Sequence, residues 1–203
     1  MNANDSSAPR LNVNEQNLSD TAKMCQDLVA VIFGFDAAIT LLSDDRVLNL
    51  IPDILPGKFV SVGSLVDRDG TIGAEYHFNY YLHQLRTEPR YWEGTKAIWA
   101  SSCLIRLGDR LTHHGYFDRS PDLELIRHLR NAVAHNDKFR IDSLKKLHQY
   151  PAHLTAGQRN WKIDFAMNGR PLYDLFSVSD ICSIVQNVGI ELNNRALKRH
   201  VTT

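Results

Sequence analysis

Apolar residues recur every three or four positions over most of this chain, the spacing that gives a helix one buried face. A polar, Asn- and Ser-rich stretch precedes the first such run. Residues 1 to about 19 offer little apolar surface to bury and read as a flexible tail. Asp20 is then placed as a cap, and Ala22, Cys25, Leu28, Val29, Ile32, Phe33 and the residues from Phe35 to Leu42 form a broad apolar face. Residues 43–57 have room for one short helix, Asp44 to Ile54, broken by Pro52 and Pro56. From Lys58 to Gly73, the glycines, Val60, Val62, Val66 and the Arg68-Asp69-Gly70 run predict a loop or a short hairpin. Glu75 to Thr87 reads as an aromatic helix ended by Pro89. A long helix is expected from Thr95 to His114 through Ile98, Trp99, Ile105, Leu107 and Leu111.

Ser120-Pro121-Asp122 is a strong helix start, with serine as cap and proline in the first turn. That helix should run to about His135, with Asn136 as the left-handed residue that ends it. Past this point the period changes. Phe139 to Ile141 and Trp161 to Phe165 alternate apolar and polar, which predicts two short strands, with a surface excursion between them holding Leu144 to Leu147 and Pro151. Ser177 or Ser179 caps a last amphipathic helix through Ile181, Ile184, Val185, Val188 and Leu192. The pattern is that of one all-α domain over residues 20–200 carrying a small β element.

Composition narrows the class. Hydrophobic residues at 43% and charged residues at 23% are ordinary for a soluble globular protein, and 203 residues suffice for one well-cored domain. Lys+Arg and Asp+Glu both count 23, so any affinity for nucleic acid has to come from a local cluster. Cys25, Cys103 and Cys182 are far apart, odd in number and without a CxxC, which suggests reduced thiols in helical cores rather than disulfides or a zinc knuckle. The N-terminus lacks a signal-peptide layout, and the longest apolar stretch, Leu28 to Phe35, is too short to span a bilayer. A cytoplasmic protein without a membrane anchor is expected.

Chemistry concentrates in the eleven residues from Arg127 to Asp137. Within them Arg130-Asn131 is followed by three small apolar residues and His135. Arginine offers a planar, permanently charged fork for a phosphate, and histidine moves protons near neutral pH. An arginine with a histidine five later arises by chance about 0.7 times in this composition, and adding the asparagine lowers that to about 0.05. Arg195 to His200 repeats the looser pattern without the asparagine and is read as coincidence. At about 100° per residue, Arg127, Asn131 and His135 share one stripe, and Leu125, Leu129 and Ala132 form the core-facing one. Arg130 and His135 diverge by about 140°, so they meet through the long arginine side chain, through distortion at the helix end, or across a two-fold axis.

The run Arg130-Asn131-x-x-x-His135 near the end of a helix, in a small helical domain, resembles the motif of the HEPN superfamily. The motif covers six residues, and the helical layout that fits runs from about 20 to 200. The resemblance implies a HEPN-like helical bundle with a small β-hairpin insertion after the motif helix, a homodimer, and metal-independent endoribonuclease activity in defence or toxin–antitoxin systems. HEPN toxins paired with nucleotidyltransferase antitoxins carry a tyrosine two residues past the histidine. Asp137 stands there in this chain, which counts against that branch.

On this reading Arg130 clamps the scissile phosphate, His135 moves a proton to or from the 2′-hydroxyl or the leaving oxygen, and Asn131 orients either of them. Arg127, Lys138 and Arg140 are candidates for gripping flanking RNA phosphates. No metal or cofactor is expected, and the expected partners are RNA, a second copy of the chain, and an antitoxin or other defence partner. Two alternatives stay open: a non-catalytic helical module holding nucleotide, RNA or protein on the same surface, and a structural protein that dimerises through the motif helix. His113-His114, His77 with His83, and the aromatic run from Tyr76 to Tyr81 are weaker candidates, for metal and for base stacking respectively.

Overall fold

The computed structural model of this chain describes residues 13–42, 44, 46 and 61–201. Its elements are α1 (Val13–Leu42), β1 (Ser61–Val66), β2 (Ile72–His77), α2 (Phe78–Thr87), α3 (Pro89–His113), α4 (Pro121–Ala134), α5 (Leu144–Gln149), β3 (His153–Ala156), β4 (Arg159–Lys162) and α6 (Val178–Val201), with 3₁₀ turns at Phe165–Met167 and Leu172–Asp174. Helix dominates, and the described strands form two antiparallel hairpins, β1–β2 and β3–β4. The fold is all-α with small β elements. Where one domain over 20–200 was expected, the chain divides into two compact units: residues up to Ala30 together with those from Trp99 onward, and Val31–Ile98.

The first unit holds the motif. Its core joins Leu18, Ala22, Cys25 and Val29 of α1 to Leu104, Leu107 and Leu111 of α3, to Leu123, Leu125, Ile126 and Leu129 of α4, and to Ile181, Ile184, Val188 and Leu192 of α6. Each such leucine or isoleucine stabilises the fold by about 1.5–3 kcal/mol when fully buried. Helix α1 begins at Val13, seven residues before the expected cap. Leu18 extends the stripe through Ala22, Cys25 and Val29, so residues 13–19 are helical, with Glu15 and Leu18 buried, rather than part of a tail. Asp20 is inside the helix and accepts a hydrogen bond from Gln16 Nε2 at 2.7 Å. Residues 1–12 and most of the short helix expected at Asp44–Ile54 lie outside the described residues. The three cysteines are buried and free, as their positions suggested.

The second unit contains the β1–β2 hairpin. Strand β2 runs to His77, so Glu75, Tyr76 and His77 are extended and the aromatic helix begins only at Phe78. Pro89 opens α3 six residues before Thr95, in the first turn where its missing N–H costs nothing. Within this unit Phe35 and Trp92 pack with ring centroids 5.6 Å apart, and Lys96 lies 4.5 Å over Trp92 while pairing with Asp36 at 3.4 Å. Within Glu15–Leu41 of helix α1, an 18-residue window reaches mean hydropathy 1.6. That is longer than the run Leu28–Phe35 suggested; core helices of soluble proteins and membrane spans both reach such values.

After the motif the expected strand pair is rearranged. Trp161 does sit in a strand, β4, but its partner is β3, with Leu154 opposite Trp161, and not Phe139–Ile141. The backbone of Phe139 is instead satisfied by segment 169–170: its N–H donates to Arg170 O at 3.0 Å and its carbonyl accepts from Gly169 N at 2.7 Å. Asn168 Oδ1 accepts from Ile141 N, and Lys138 bridges Pro171. The presumed surface excursion is ordered as α5 and β3, with Leu147, Ala152 and Leu154 buried.

Candidate functional site

Helix α4 starts where Ser120-Pro121 predicts, but the serine acts differently. Its side chain makes no cap bond to the helix backbone; Ser120 Oγ accepts from Arg195 Nη1 at 2.8 Å. Arg195 Nη2 also donates to both oxygens of the buried Asp122, at 2.8 and 2.7 Å. The arginine of the second, looser motif copy is therefore a tie between α6 and the start of α4.

The core face of α4 matches expectation: Leu123, Leu125, Ile126, Leu129 and Ala132 are fully buried. Three polar residues are buried with them. Glu124 is sealed from solvent and accepts from Arg119 Nε at 2.9 Å and Arg127 Nε at 2.5 Å. His128 is 8% exposed and its Nε2 lies 3.1 Å from Arg127 Nη2. Burial, and then the neighbouring Arg127 charge, pull the His128 imidazole down to about 4, against a smaller opposing effect of Glu124. It is neutral at physiological pH. Because arginine only donates, His128 Nε2 is the acceptor in that contact and Nδ1 carries the proton. Arg127, expected to face RNA, thus already serves a buried carboxylate and a buried imidazole.

Arg130 lies on the helix border, as its register requires, and is drawn towards α3. Its Nε and Nη2 both donate to Asp109 Oδ1, at 3.2 and 2.8 Å, while Nη1 reaches Asn131 Oδ1 at the outer limit of 3.5 Å. The stem of Arg130 crosses the backbone of Gly108. A Cβ built there would stand 2.4 Å from Arg130 Cγ and 2.8 Å from its Cβ. Gly108 and Asp109 were not singled out from the sequence. Their signal was a glycine inside a helical run at core-adjacent spacing, which often marks a close approach.

His135 caps α4 at φ −106° and ψ 40°, its N–H shared between the carbonyls of Asn131 and Ala132. Asn136 has the expected left-handed φ of 61°, and Asp137 follows at 56°. Two successive left-handed residues fold the chain back so that Lys138 N–H reaches Ala132 O at 3.1 Å. The His135 ring is exposed and makes no hydrogen bond among the described residues, so nothing competes with a ligand for its nitrogens. Asn131 is half-buried beside it in register. Lys138 and Arg140 are exposed just past the turn, and Arg140 pairs with Asp142 at 3.2 Å.

The site therefore brings Arg130 and Asn131 into contact, sets His135 at the helix exit, and leaves Arg130 and His135 without a bond between them. The weaker candidates part ways. His113 and His114 meet edge to face, with His114 stacked on Phe117 at 5.1 Å, and no group with metal-ligand geometry occurs among the described residues. Of the aromatic run, Tyr80 and Tyr81 are exposed. An open cleft of about 390 Å³ is lined by Leu144, Leu147, Ile163, Phe165 and neighbours, none of them motif residues. No known family model matches the chain, and no curated protein or solved structure matches it either.

Proposed function

We propose that this chain is a HEPN-like, metal-independent endoribonuclease acting as a homodimer in the cytoplasm, in phage defence or alongside an antitoxin. One observation carries the reading. Arg130 is held along its Nε–Nη2 side and, apart from a long contact of Nη1 with Asn131 Oδ1, keeps its Nη1–Nη2 end available, five residues along the helix from an exposed imidazole at His135 that makes no hydrogen bond among the described residues. The available end is the geometry that grips two phosphate oxygens at once. Opposed to it, His135 supplies the group that takes the proton of a 2′-hydroxyl or returns one to the 5′-leaving oxygen. Arg130 then offsets charge growing on the phosphate oxygens as the 2′-oxygen attacks. The products are a 2′,3′-cyclic phosphate, or the 3′-phosphate from its hydrolysis, and a 5′-hydroxyl. Lys138 and Arg140 hold neighbouring phosphates; Arg127 supports the helix more than the substrate.

A second reading, a non-catalytic module that holds RNA or nucleotide on the same surface, is favoured by the lack of any bond joining Arg130 to His135 within one chain. Incubation of purified protein with single-stranded RNA in EDTA separates the two. Cleavage is expected to persist in chelator, to stop in His135→Ala and Arg130→Ala while melting temperature stays within a few degrees, and to fail at a 2′-deoxy linkage. Binding without any cleavage would leave the module reading.

A further inference from the structure

Asp109 belongs to α3, lies outside the motif, and is 55% exposed, yet it takes two donors of Arg130. We propose that Asp109 is the positioning residue of the site: it fixes the guanidinium by its Nε–Nη2 side and so aims the Nη1–Nη2 end at the phosphate. This rests on the reading of Arg130 as a phosphate ligand.

The geometry argues as follows. A guanidinium has five hydrogens on two usable edges. Asp109 occupies the side edge with a single oxygen; of the remaining hydrogens, one on Nη1 reaches Asn131 Oδ1 at the outer limit of 3.5 Å, and the other on Nη1 and one on Nη2 are left for a ligand. Gly108 removes the other freedom, because the stem lies so close that even a methyl group would collide with it. Position is thus set by the glycine and rotation by the aspartate. The pair also has no net charge, so Arg130 contributes direction more than general attraction for polyanions. An ion pair this exposed adds little to stability, which makes substitution at Asp109 informative about the site and not about folding.

The test uses the full chain, single-stranded RNA for cleavage, and the same oligonucleotide with 2′-O-methyl riboses for binding. Asp109→Asn is expected to lower kcat by on the order of 10- to 100-fold, from misorientation alone. The same variant should bind the uncleavable RNA as tightly or more tightly, with a log–log salt slope steeper by about 0.7. Asp109→Glu is expected to recover part of kcat. In an Arg130→Ala background, where cleavage is already lost, Asp109→Asn should leave affinity for the uncleavable RNA and its salt slope unchanged. A kcat unaffected by Asp109→Asn, or equal effects on RNA binding with and without Arg130, would overturn the assignment. Should wild-type protein leave RNA intact, the nuclease reading fails by itself. The binding cycle still judges Asp109: a salt slope altered only when Arg130 is present supports it, and one altered regardless overturns it.

Discussion

Arg127 and Arg130 stand three residues apart on one helix and differ in what holds them. Arg127 serves the buried Glu124, whose two oxygens accept from two arginines, whereas Arg130 leans on an exposed aspartate. Substitution should separate them. Glu124→Ala leaves Arg119 and Arg127 without their shared carboxylate and is expected to destabilise the fold by about 3 kcal/mol, read from chemical denaturation. A loss under 1 kcal/mol would show that the cluster is not structurally needed. His128 adds a pH dependence. Its folded value of about 4 lies below the ordinary 6.5, so between those limits the unfolded chain binds more protons and stability falls as pH falls. The contribution is intact above pH 6.5 and lost progressively towards pH 4, on the order of 3 kcal/mol in all. Comparing denaturation at pH 7 and pH 4.5 should show a steeper loss for wild type than for His128→Gln; parallel losses would mean that another group controls acid lability. The candidate chemistry was legible in residue identity and spacing, since Arg130, Asn131 and His135 announce themselves. Asp109, Glu124 and Asp122 did not, because a charge on a helix reads as solvated until its partner is known, and those partners lie on other turns or other helices.

Two helix-interior glycines show what lets the elements approach. Gly108 receives Arg130 of α4, and Gly189 of α6 receives Cys25 of α1, where an added Cβ would stand 2.8 Å from the cysteine Cβ and 3.3 Å from the Ala22 carbonyl. Alanine at either position overpacks a helix pair and should cost about 1–3 kcal/mol. The functional consequences should differ. Gly108→Ala is expected to lower RNA cleavage per folded molecule, and Gly189→Ala to leave it near wild type, with folded fraction measured by circular dichroism at the assay temperature. Equal activities would detach Gly108 from the site. Most helices were legible from periodicity, as were both ends of α4, but the starts of α1, α2 and α3 were not. α1 begins early because Leu18 continues a stripe hidden among polar neighbours, and α2 begins late because Glu75 to His77 complete the β1–β2 ladder. Phe139–Ile141 alternates like a strand but pairs with an irregular segment whose own sequence carries no strand signal. Pairing across some 30 residues is a tertiary fact that no local pattern contains.

On the proposed reading, a chain with no net charge would have to gather its positive groups in one place to act on a polyanion, and a two-fold axis would do this without adding any. Arg130 turns towards α3, while His135 sits past the end of α4, so the two diverge within one chain as their spacing implied. Dimerisation through the exposed edges of the α3–α4 pair would place two of each about a shared cleft. Light scattering at micromolar concentration is therefore expected to give a dimer, with specific activity dropping on dilution below its dissociation constant; a monomer of undiminished activity would defeat the shared cleft. The tie from Arg195 to Asp122 and Ser120 bears on when such a cleft can form. Asp122 opens the motif helix, yet the cation that neutralises it lies about 70 residues later, on a helix made well after the motif itself. Until α6 is made, Asp122 has no Arg195 to pair with, so this tie between the first turn of the motif helix and the bundle closes only with the last helix. On the proposed nuclease reading, the motif helix would be locked into its bundle only after α6 is made, late in the life of the nascent chain.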